Sequence, residues 1–215
     1  MGECMNRATV IQNIVDRIRA RFYLEIGVAK GTTFSAIQVK EKVGVDPNPK
    51  TKDPLVMKMT SDEFFKRYED FYGDKRIDVC FVDGLHTYEQ ALRDVNNALS
   101  HLNERGVIVV DDCSPITSSM ADIKNEHLAD EGYAWCGDVW KVIAHLRSLR
   151  NDLQVFVLPI EFGMGIIRKG RSESVLTYSE KEIKEMTYED LRNKRNELLS
   201  IKHLAEFKQF LKDKN

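Results

Sequence analysis

The chain lacks the residues and runs that mark disulfide-stapled, zinc-binding or membrane-spanning proteins. Its 215 residues include only four cysteines, and no two of them form a C-x-x-C pair. That scatter argues against a zinc site and a disulfide framework, and it predicts reduced thiols. No apolar run approaches the ~20 residues that cross a bilayer, and the N-terminus lacks the apolar segment of a signal peptide. We therefore expect a cytoplasmic protein with no membrane partner.

The chain also lacks an excess of either charge. It has 32 basic and 34 acidic side chains, which give a net charge of −2. Without a basic surplus there is no electrostatic reason to expect nucleic acid as a partner, and a small neutral ligand fits better. The hydrophobic content of 42% is enough, at this length, for one sizeable core.

Apolar residues alternate between helical and strand-like spacing, which predicts a doubly wound, Rossmann-like α/β sheet. A helix over residues 6–20 precedes the first strand. Strands are predicted at 22–27, 42–46, 55–59, 77–82 and 106–111, with helices near 32–41, 61–72 and 87–102. The last two of these strands are apolar without alternation, which is typical of central parallel strands covered on both faces.

The pattern changes after the fifth strand. Residues 114–137 are mostly polar and predict an active-site loop or lid. A helix follows at 139–149. Strands at 153–159 and 163–168 then predict a closing hairpin. The hairpin brings an antiparallel strand to the edge of a mostly parallel sheet of about seven strands.

The C-terminal part is charged and helical. We assign residues 1–170 to the main domain and residues 171–215 to a helical C-terminal extension. The extension carries a narrow apolar stripe formed by Leu204, Phe207, Phe210 and Leu211. This stripe and the N-terminal helix predict self-association, as a dimer.

The first strand, which contains Glu25, runs directly into a glycine-bearing turn and then into a helix. Gly27 and Gly31 would let the backbone approach a ligand, and the helix would present free N–H groups. The second strand ends at Asp46, about 20 residues after Glu25, where a carboxylate can meet ribose hydroxyls. Together these features predict a binding edge for a nucleoside cofactor.

Polar residues also follow the remaining strands. In an open parallel sheet, ligands bind beyond the carboxyl ends of the strands, near the point where strand order reverses. We therefore expect these residues to meet in one crevice. They are Ser61 and Asp62 after strand three, Asp83 and His86 after strand four, and Asp111 and Asp112 after strand five.

Six short blocks occur in order along the chain. They read YLEIGV at 23–28, VGVDP at 43–47, TSDEFF at 60–65, VDGLHTY at 82–88, DDCSP at 111–115 and GDVWK at 137–141. In these blocks the chain resembles class I S-adenosylmethionine-dependent methyltransferases. More narrowly, it resembles a bacterial subgroup of O-methyltransferases associated with sugar and polysaccharide modification. The resemblance spans roughly residues 10–170, so the main domain is expected to be a methyltransferase domain.

The resemblance implies S-adenosylmethionine as cofactor and a role for each matching residue. The two glycines would shape the turn around its methionine part, and Glu25 would orient that loop or the cofactor's amino group. Asp46 would hold both ribose hydroxyls. The residues after strand three would contact the adenine, although Asp62 could instead cap the helix that follows. The implied cofactor-binding set is Glu25, Gly27, Gly31, Asp46, Ser61, Asp62 and Asp83.

Methylation of a sugar or related small-molecule hydroxyl requires a base, because an alcohol is a poor nucleophile. Two uses of the acids and the histidine stay open. In the first, His86 takes the proton while an adjacent carboxylate, Asp83 or Asp112, holds its tautomer. In the second, Asp83, Asp111 and Asp112 bind Mg²⁺, which orients the acceptor hydroxyl and lowers its pKa, and His86 is again the base.

Two other classes of protein stay open as alternatives. An NAD(P)-dependent oxidoreductase also begins with a strand, a glycine turn, a helix and a distal acid. Its turn needs glycines at the positions of Gly27, Ala29 and Thr32, of which this chain has only the first. The third class is a non-catalytic cofactor-binding scaffold, against which the acid and histidine cluster argues.

Overall fold

The computed structural model describes residues 5–212 and shows one seven-stranded sheet with helices on both faces. The strand order is β3-β2-β1-β4-β5-β7-β6. The strands are β1 (Phe22–Ile26), β2 (Glu41–Asp46), β3 (Val56–Lys58), β4 (Ile77–Val82), β5 (Leu102–Val110), β6 (Leu153–Leu158) and β7 (Met164–Lys169). The predicted doubly wound fold class is confirmed.

The first five strands pair in parallel with their neighbours, and the hairpin of β6 and β7 completes the sheet. β7 runs antiparallel to both of its neighbours, β5 and β6, so β6 lies outermost in the hairpin. The chain leaves β1 for β2 on one side and later returns to place β4 on the other side of β1. Strand order reverses at this point, so a crevice opens beyond the carboxyl ends of β1 and β4.

The helices agree with the predicted alternation but differ in length. The N-terminal half contains α1 (Arg7–Ile18), α2 (Thr32–Ala36), α3 (Ser61–Lys66), α4 (Tyr68–Tyr72) and α5 (Tyr88–His101). The C-terminal half contains α6 (Ser118–Ala121), a 3-10 helix (Ile123–Asn125), α7 (His127–Asp130), α8 (Trp140–Leu149), α9 (Glu180–Glu185), α10 (Tyr188–Leu199) and α11 (Leu204–Lys212).

Two predicted helices are shorter or broken because backbone geometry ends them early. α2 has only five residues, since Ile37 is already extended. The helix predicted over 61–72 is interrupted at Arg67, whose φ of −111° and ψ of 14° leave the helical region. α3 itself begins in a capping box, in which Thr60 and Glu63 each bond the other's backbone N–H.

Two hydrophobic layers cover the sheet. Side chains alternate across each strand, so Leu24 of β1 packs on one face and Tyr23 packs on the other. The first layer comes mainly from α3, α5, α8 and α10, and it includes Trp140. The second layer comes from α1, α2 and α11. The core therefore holds all strands rigidly beneath the crevice.

The C-terminal helices are part of these layers. Leu198 of α10 is fully buried in the first layer, and Phe207 and Phe210 of α11 are buried in the second. Between the two helices, Ile201 pairs with Val157 of the edge strand β6, so the chain crosses the sheet edge there. The α11 stripe, from which self-association was predicted, therefore packs against this chain's own sheet. The dimer thereby loses that support and stays a prediction.

Two predicted absences concern membranes and thiols. Among residues 5–212, no helix is long and apolar enough to span a bilayer. The cysteines of this part of the chain, Cys80, Cys113 and Cys136, are free and buried. Residues 1–4, which include Cys4, and residues 213–215 lie outside the described residues. They are the first residues of the predicted main domain and the last residues of the predicted C-terminal extension.

We expect Phe210→Ala to lower the free energy of unfolding by about 3 kcal/mol, because truncating a buried aromatic ring leaves a cavity. The Phe210 ring packs edge-to-face on Phe156, with the ring centroids 4.9 Å apart. Urea unfolding measures the change, with the exposed Lys208→Ala as the control on the same helix. Unchanged stability together with a lower solution mass would instead make the stripe an interface.

Candidate active site

Two adjoining cavities open in the crevice where strand order reverses. One has a volume of about 450 Å³ and the other of about 550 Å³. They share a wall built from the ends of β1 and β4, formed by Gly27, Ala29, Asp83 and Gly84. A ligand that spans both cavities must therefore pass along this wall.

The smaller cavity contains the acid predicted to meet a ribose. Asp46, the last residue of β2, is 8% exposed and lines the cavity. Its two oxygens accept hydrogen bonds from the backbone N–H groups of Ala29, at 2.8 Å, and Asn48, at 2.7 Å. Each carboxylate oxygen has a second lone pair. Asp46 is thus held rigidly and can still accept from hydroxyls of a ligand.

Ser61 and Asp62, the predicted site residues that follow β3, line the same cavity. Asp62 is not the helix cap, because Thr60 occupies that position. The Gln90 side-chain amide of α5 donates to Ser61 Oγ at 3.2 Å and to Asp94 Oδ1 at 3.0 Å. Asp94 is only 1% exposed, and burial raises its pKa to about 6. Gln90 and Asp94 were not predicted, because their positions on α5 only look like the polar side of a helix.

The larger cavity contains Glu25. Its carboxyl is 1% exposed and accepts a hydrogen bond from the Tyr23 hydroxyl at 2.5 Å. Burial raises the pKa of Glu25 to about 8, although the Tyr23 hydrogen bond works in the opposite direction. The carboxyl is mostly protonated at neutral pH in this state, and a cation placed beside it would favour the charged form.

Gly27 and Gly31, the two glycines of the predicted site, are required for different structural reasons. Gly27 has a φ of +83°, and a Cβ there would lie 1.9 Å from the carbonyl oxygen of Asp83. Gly27 is therefore needed first for the close contact of β1 with the turn after β4. Gly31 has a φ of +77° and precedes α2, where an added Cβ would meet Thr51 at 3.3 Å. Of these two glycines, Gly27 lines both cavities and Gly31 lines neither.

Asp83, His86 and Asp112 come together in the larger cavity, as predicted. The Nε2 atom of His86 lies 3.3 Å from Asp83 Oδ1, and its Nδ1 atom lies 3.3 Å from Asp112 Oδ2. The three side chains each offer a ligand atom, and those atoms lie within 4.8 Å of one another. Burial raises the pKa of Asp112 to about 6, while the nearby His86 works in the opposite direction.

His86 is surrounded by acceptors. Burial lowers its pKa, but the hydrogen bond to Asp83 and the charges of Asp112 and Asp83 outweigh burial and raise the pKa to about 9. The ring is therefore an imidazolium at neutral pH while the cavity holds no other cation. As a base it would act only after losing the proton on Nε2.

The third acid, Asp111, does not join this group. It is 2% exposed and forms an ion pair with Arg7, the first residue of α1. The same guanidinium reaches Asp83 at 3.0 Å and Glu161, in the turn between β6 and β7. The predicted metal set of Asp83, Asp111 and Asp112 is thus corrected to Asp83, Asp112 and His86. Sequence reasoning missed Arg7, which belongs to no motif and lies far from the acids along the chain.

Part of the chain that contains this site is similar to a known protein family. Residues 24–113 match the family model described as a methyltransferase domain. No curated protein sequence matches the chain. The matched residues contain most of β1, all of β2 to β5 and every predicted site residue, so they include the shared wall of the two cavities.

Solved structures of methyltransferases share the fold of this chain. A Podospora anserina methyltransferase bound to S-adenosylhomocysteine superposes with a TM-score of 0.54 at 19% identity, over 76% of this chain and 77% of that chain. A Bacillus cereus O-methyltransferase in complex with S-adenosylhomocysteine gives 0.53 at 13% identity, over 79% and 84%. An O-methyltransferase of tomaymycin synthesis from Streptomyces achromogenes, in complex with S-adenosylmethionine, gives 0.50 at 16% identity, over 75% and 78%.

The sheet also differs from that of the dinucleotide-binding fold. That fold has the strand order 3-2-1-4-5-6 and is mostly parallel. Here the antiparallel β7 separates β5 from β6. This topology, together with Ala29 and Thr32 in the first turn, disfavours the nicotinamide-dependent alternative.

We expect Arg7→Met to destabilise the protein by about 2 kcal/mol at pH 8, because Asp111 would be left buried without its counter-charge. Burial and the neighbouring Asp83 and Asp112 already raise the pKa of Asp111. A carboxyl whose pKa is raised on folding costs stability as the pH rises, so the deficit should shrink towards pH 5.

Denaturant unfolding at the two pH values measures this effect, with the exposed Arg171→Met as the control. An Arg7→Met deficit that is the same at both pH values would show that Arg7 acts through packing alone.

Proposed function

We propose that this protein is an S-adenosylmethionine-dependent O-methyltransferase whose acceptor is a hydroxyl of a sugar or related small molecule. The single observation that carries the proposal is the pair of adjoining cavities. One contains a rigidly held carboxylate suited to ribose hydroxyls, and the other contains an imidazole between two acids. The shared wall at Gly27 and Asp83 would bring donor and acceptor into contact.

The smaller cavity would hold the adenosine part of the donor. Asp46 would accept from the ribose hydroxyls, and the acidic and amide groups around Ser61 and Gln90 would face the base. Glu25, in the larger cavity, would pair with the amino group of the methionine part, whose positive charge favours its ionised form. These assignments use only groups that already line the two cavities.

S-adenosylmethionine supplies a methyl group on a positively charged sulfur, and transfer forms the acceptor's O–C bond as the S–C bond breaks. The chain's task is to align the hydroxyl and remove its proton. We propose that His86 takes this proton on Nε2, the nitrogen that faces Asp83. Asp83 and Asp112 would stabilise the imidazolium that results.

The acceptor class follows from this chemistry. An alcohol needs a base, and the His86 cluster offers one once Nε2 of His86 has lost its proton. The cavity around the cluster is wide and partly polar, and Tyr133 and Trp135 supply aromatic surface at its side. Both features suit a sugar or another small hydroxyl compound.

A divalent cation is the weaker alternative. Asp83, Asp112 and His86 could each offer one ligand atom, but Mg²⁺ prefers oxygen ligands. Arg7 and His86 already supply positive charge beside these acids. A metal would therefore have to displace charges that the chain itself provides, so we favour proton transfer to His86.

We expect Asp46→Ala to weaken S-adenosylhomocysteine binding by about 10- to 100-fold, the effect of losing hydrogen bonds to a charged group. Calorimetric titration of the purified protein measures this, with the exposed Asp74→Ala as the control and NAD as the competing ligand class. Failure of the unaltered protein to bind S-adenosylhomocysteine, or tighter binding of NAD, would refute the proposed donor.

We expect His86→Ala to lower turnover by about 10²- to 10⁴-fold with little change in donor affinity, because a general base contributes that much. In the unaltered protein, kcat/KM should rise with pH towards about 9, since only neutral His86 can accept the proton. Rates across an acceptor panel of free sugars and glycans, with the exposed His203→Ala as control, measure both effects.

The assays are run after exhaustive chelation. Activity that disappears on chelation and returns with Mg²⁺ would replace the His86 mechanism with the metal-assisted one. A pH profile unchanged by His86→Ala would remove His86 from the proton transfer.

A further inference from the structure

Three consecutive residues of the polar segment after β5 touch the His86–Asp112 pair. They are Trp135, Cys136 and Gly137, which lie between α7 and α8. Each makes its contact through a different group: a carbonyl and a ring, a thiol, and a backbone without a side chain. Together they enclose the side of His86 that does not face Asp83.

Trp135 determines which ring nitrogen of His86 carries a proton. The Trp135 carbonyl oxygen lies 2.8 Å from His86 Nδ1, and a carbonyl can only accept, so Nδ1 is the donor. The two rings are stacked with centroids 5.1 Å apart. The indole N–H donates to the Asp122 carbonyl at 2.9 Å, which fixes the Trp135 ring in turn.

Cys136 contacts the acid on the other side of the pair. Its thiol donates to Asp112 Oδ1 at 3.3 Å, while Asp112 Oδ2 faces His86 Nδ1. Burial raises the pKa of this thiol, so it stays protonated and keeps its donor. Asp112 has a φ of +57°, in the left-handed region that is uncommon for a residue other than glycine.

Gly137 allows this approach. It has a φ of +58°, and a Cβ at this position would lie 1.7 Å from the carbonyl oxygen of His86. The backbone N–H groups of Cys136 and Gly137 both donate to the Met120 carbonyl, at 2.9 Å each. The three residues are thus tied to α6 on one side and pressed against His86 on the other.

We propose that Trp135, Cys136 and Gly137 form a clamp that holds His86 in the Nδ1–H tautomer and holds Asp112 beside it, with Cys136 as a positioning residue. The clamp leaves Nε2 as the nitrogen available to an acceptor. This inference rests on the proposed function. It adds that the segment over the cavity prepares the base, so that the base is ready only when this segment is seated.

The tautomer is tested directly by the ¹⁵N chemical shifts of the His86 ring, recorded above its pKa in the unaltered protein without ligand. We expect a protonated Nδ1 and an unprotonated Nε2. An Nε2–H tautomer, or a mixture of both in similar amounts, would overturn the clamp. His86→Ala identifies the signals. This experiment needs no substrate, so its result is independent of the proposed function.

The role of Cys136 is tested by Cys136→Ala and Cys136→Ser. Loss of the donor to Asp112 should lower kcat by about 10-fold while KM and the affinity for S-adenosylhomocysteine stay within about twofold, because misplaced catalytic groups lose rate rather than binding. The serine hydroxyl donates as the thiol does and should restore most of the rate. Cys80→Ala, at a buried cysteine of β4, is the matched control and should keep full activity.

These outcomes distinguish a failure of the proposed clamp from a failure of the proposed function. Equal losses in Cys136→Ala and Cys80→Ala, or no rescue by serine, would reduce Cys136 to a packing residue and overturn its positioning role. Absence of S-adenosylhomocysteine binding in the unaltered protein would refute the proposed function, whatever the tautomer of His86.

Discussion

The structure of the site depends on how the chain neutralises three carboxylates that meet where β4 and β5 end. Asp83, Asp111 and Asp112 lie too close together in a poorly hydrated crevice for all three to be charged without cations. The chain supplies those cations from two distant places. Arg7 comes from the start of the first helix, and His86 comes from the turn after β4. The N-terminal helix is therefore an electrostatic component of the site as well as part of the core.

The sequence predicts well what short-range physics determines. Apolar runs and turns predict the parallel strands and most helices, and the topology of a parallel sheet then brings the acids after each strand to one edge. Glu25, Asp46, Asp83, His86 and Asp112 could be placed in the crevice on that basis alone. These residues need no knowledge of the rest of the chain, because the strand end positions each of them.

Contacts between distant segments could not be predicted. Arg7 is an ordinary basic residue at a helix start, and only the folded chain shows that it reaches Asp111. The stripe of α11 reads the same whether its partner is a second molecule or the chain's own sheet. Asp94 looks like a solvent-facing residue of α5 until Gln90 and Ser61, at the start of α3, contact it. In each case the sequence specifies the group, and the tertiary fold specifies its partner.

Two glycines of the site link its two cavities through one short turn. Gly27 packs against the carbonyl oxygen of Asp83, and Gly137 packs against the carbonyl oxygen of His86. Both carbonyls belong to the same short turn after β4. The turn after β1 therefore contacts one end of it, and the segment before α8 contacts the other end. The side chains of Asp83 and His86 are carried by this turn and share a hydrogen bond. A shift of either glycine segment must therefore move Asp83 and His86, so the placement of His86 is set jointly by both sides of the crevice.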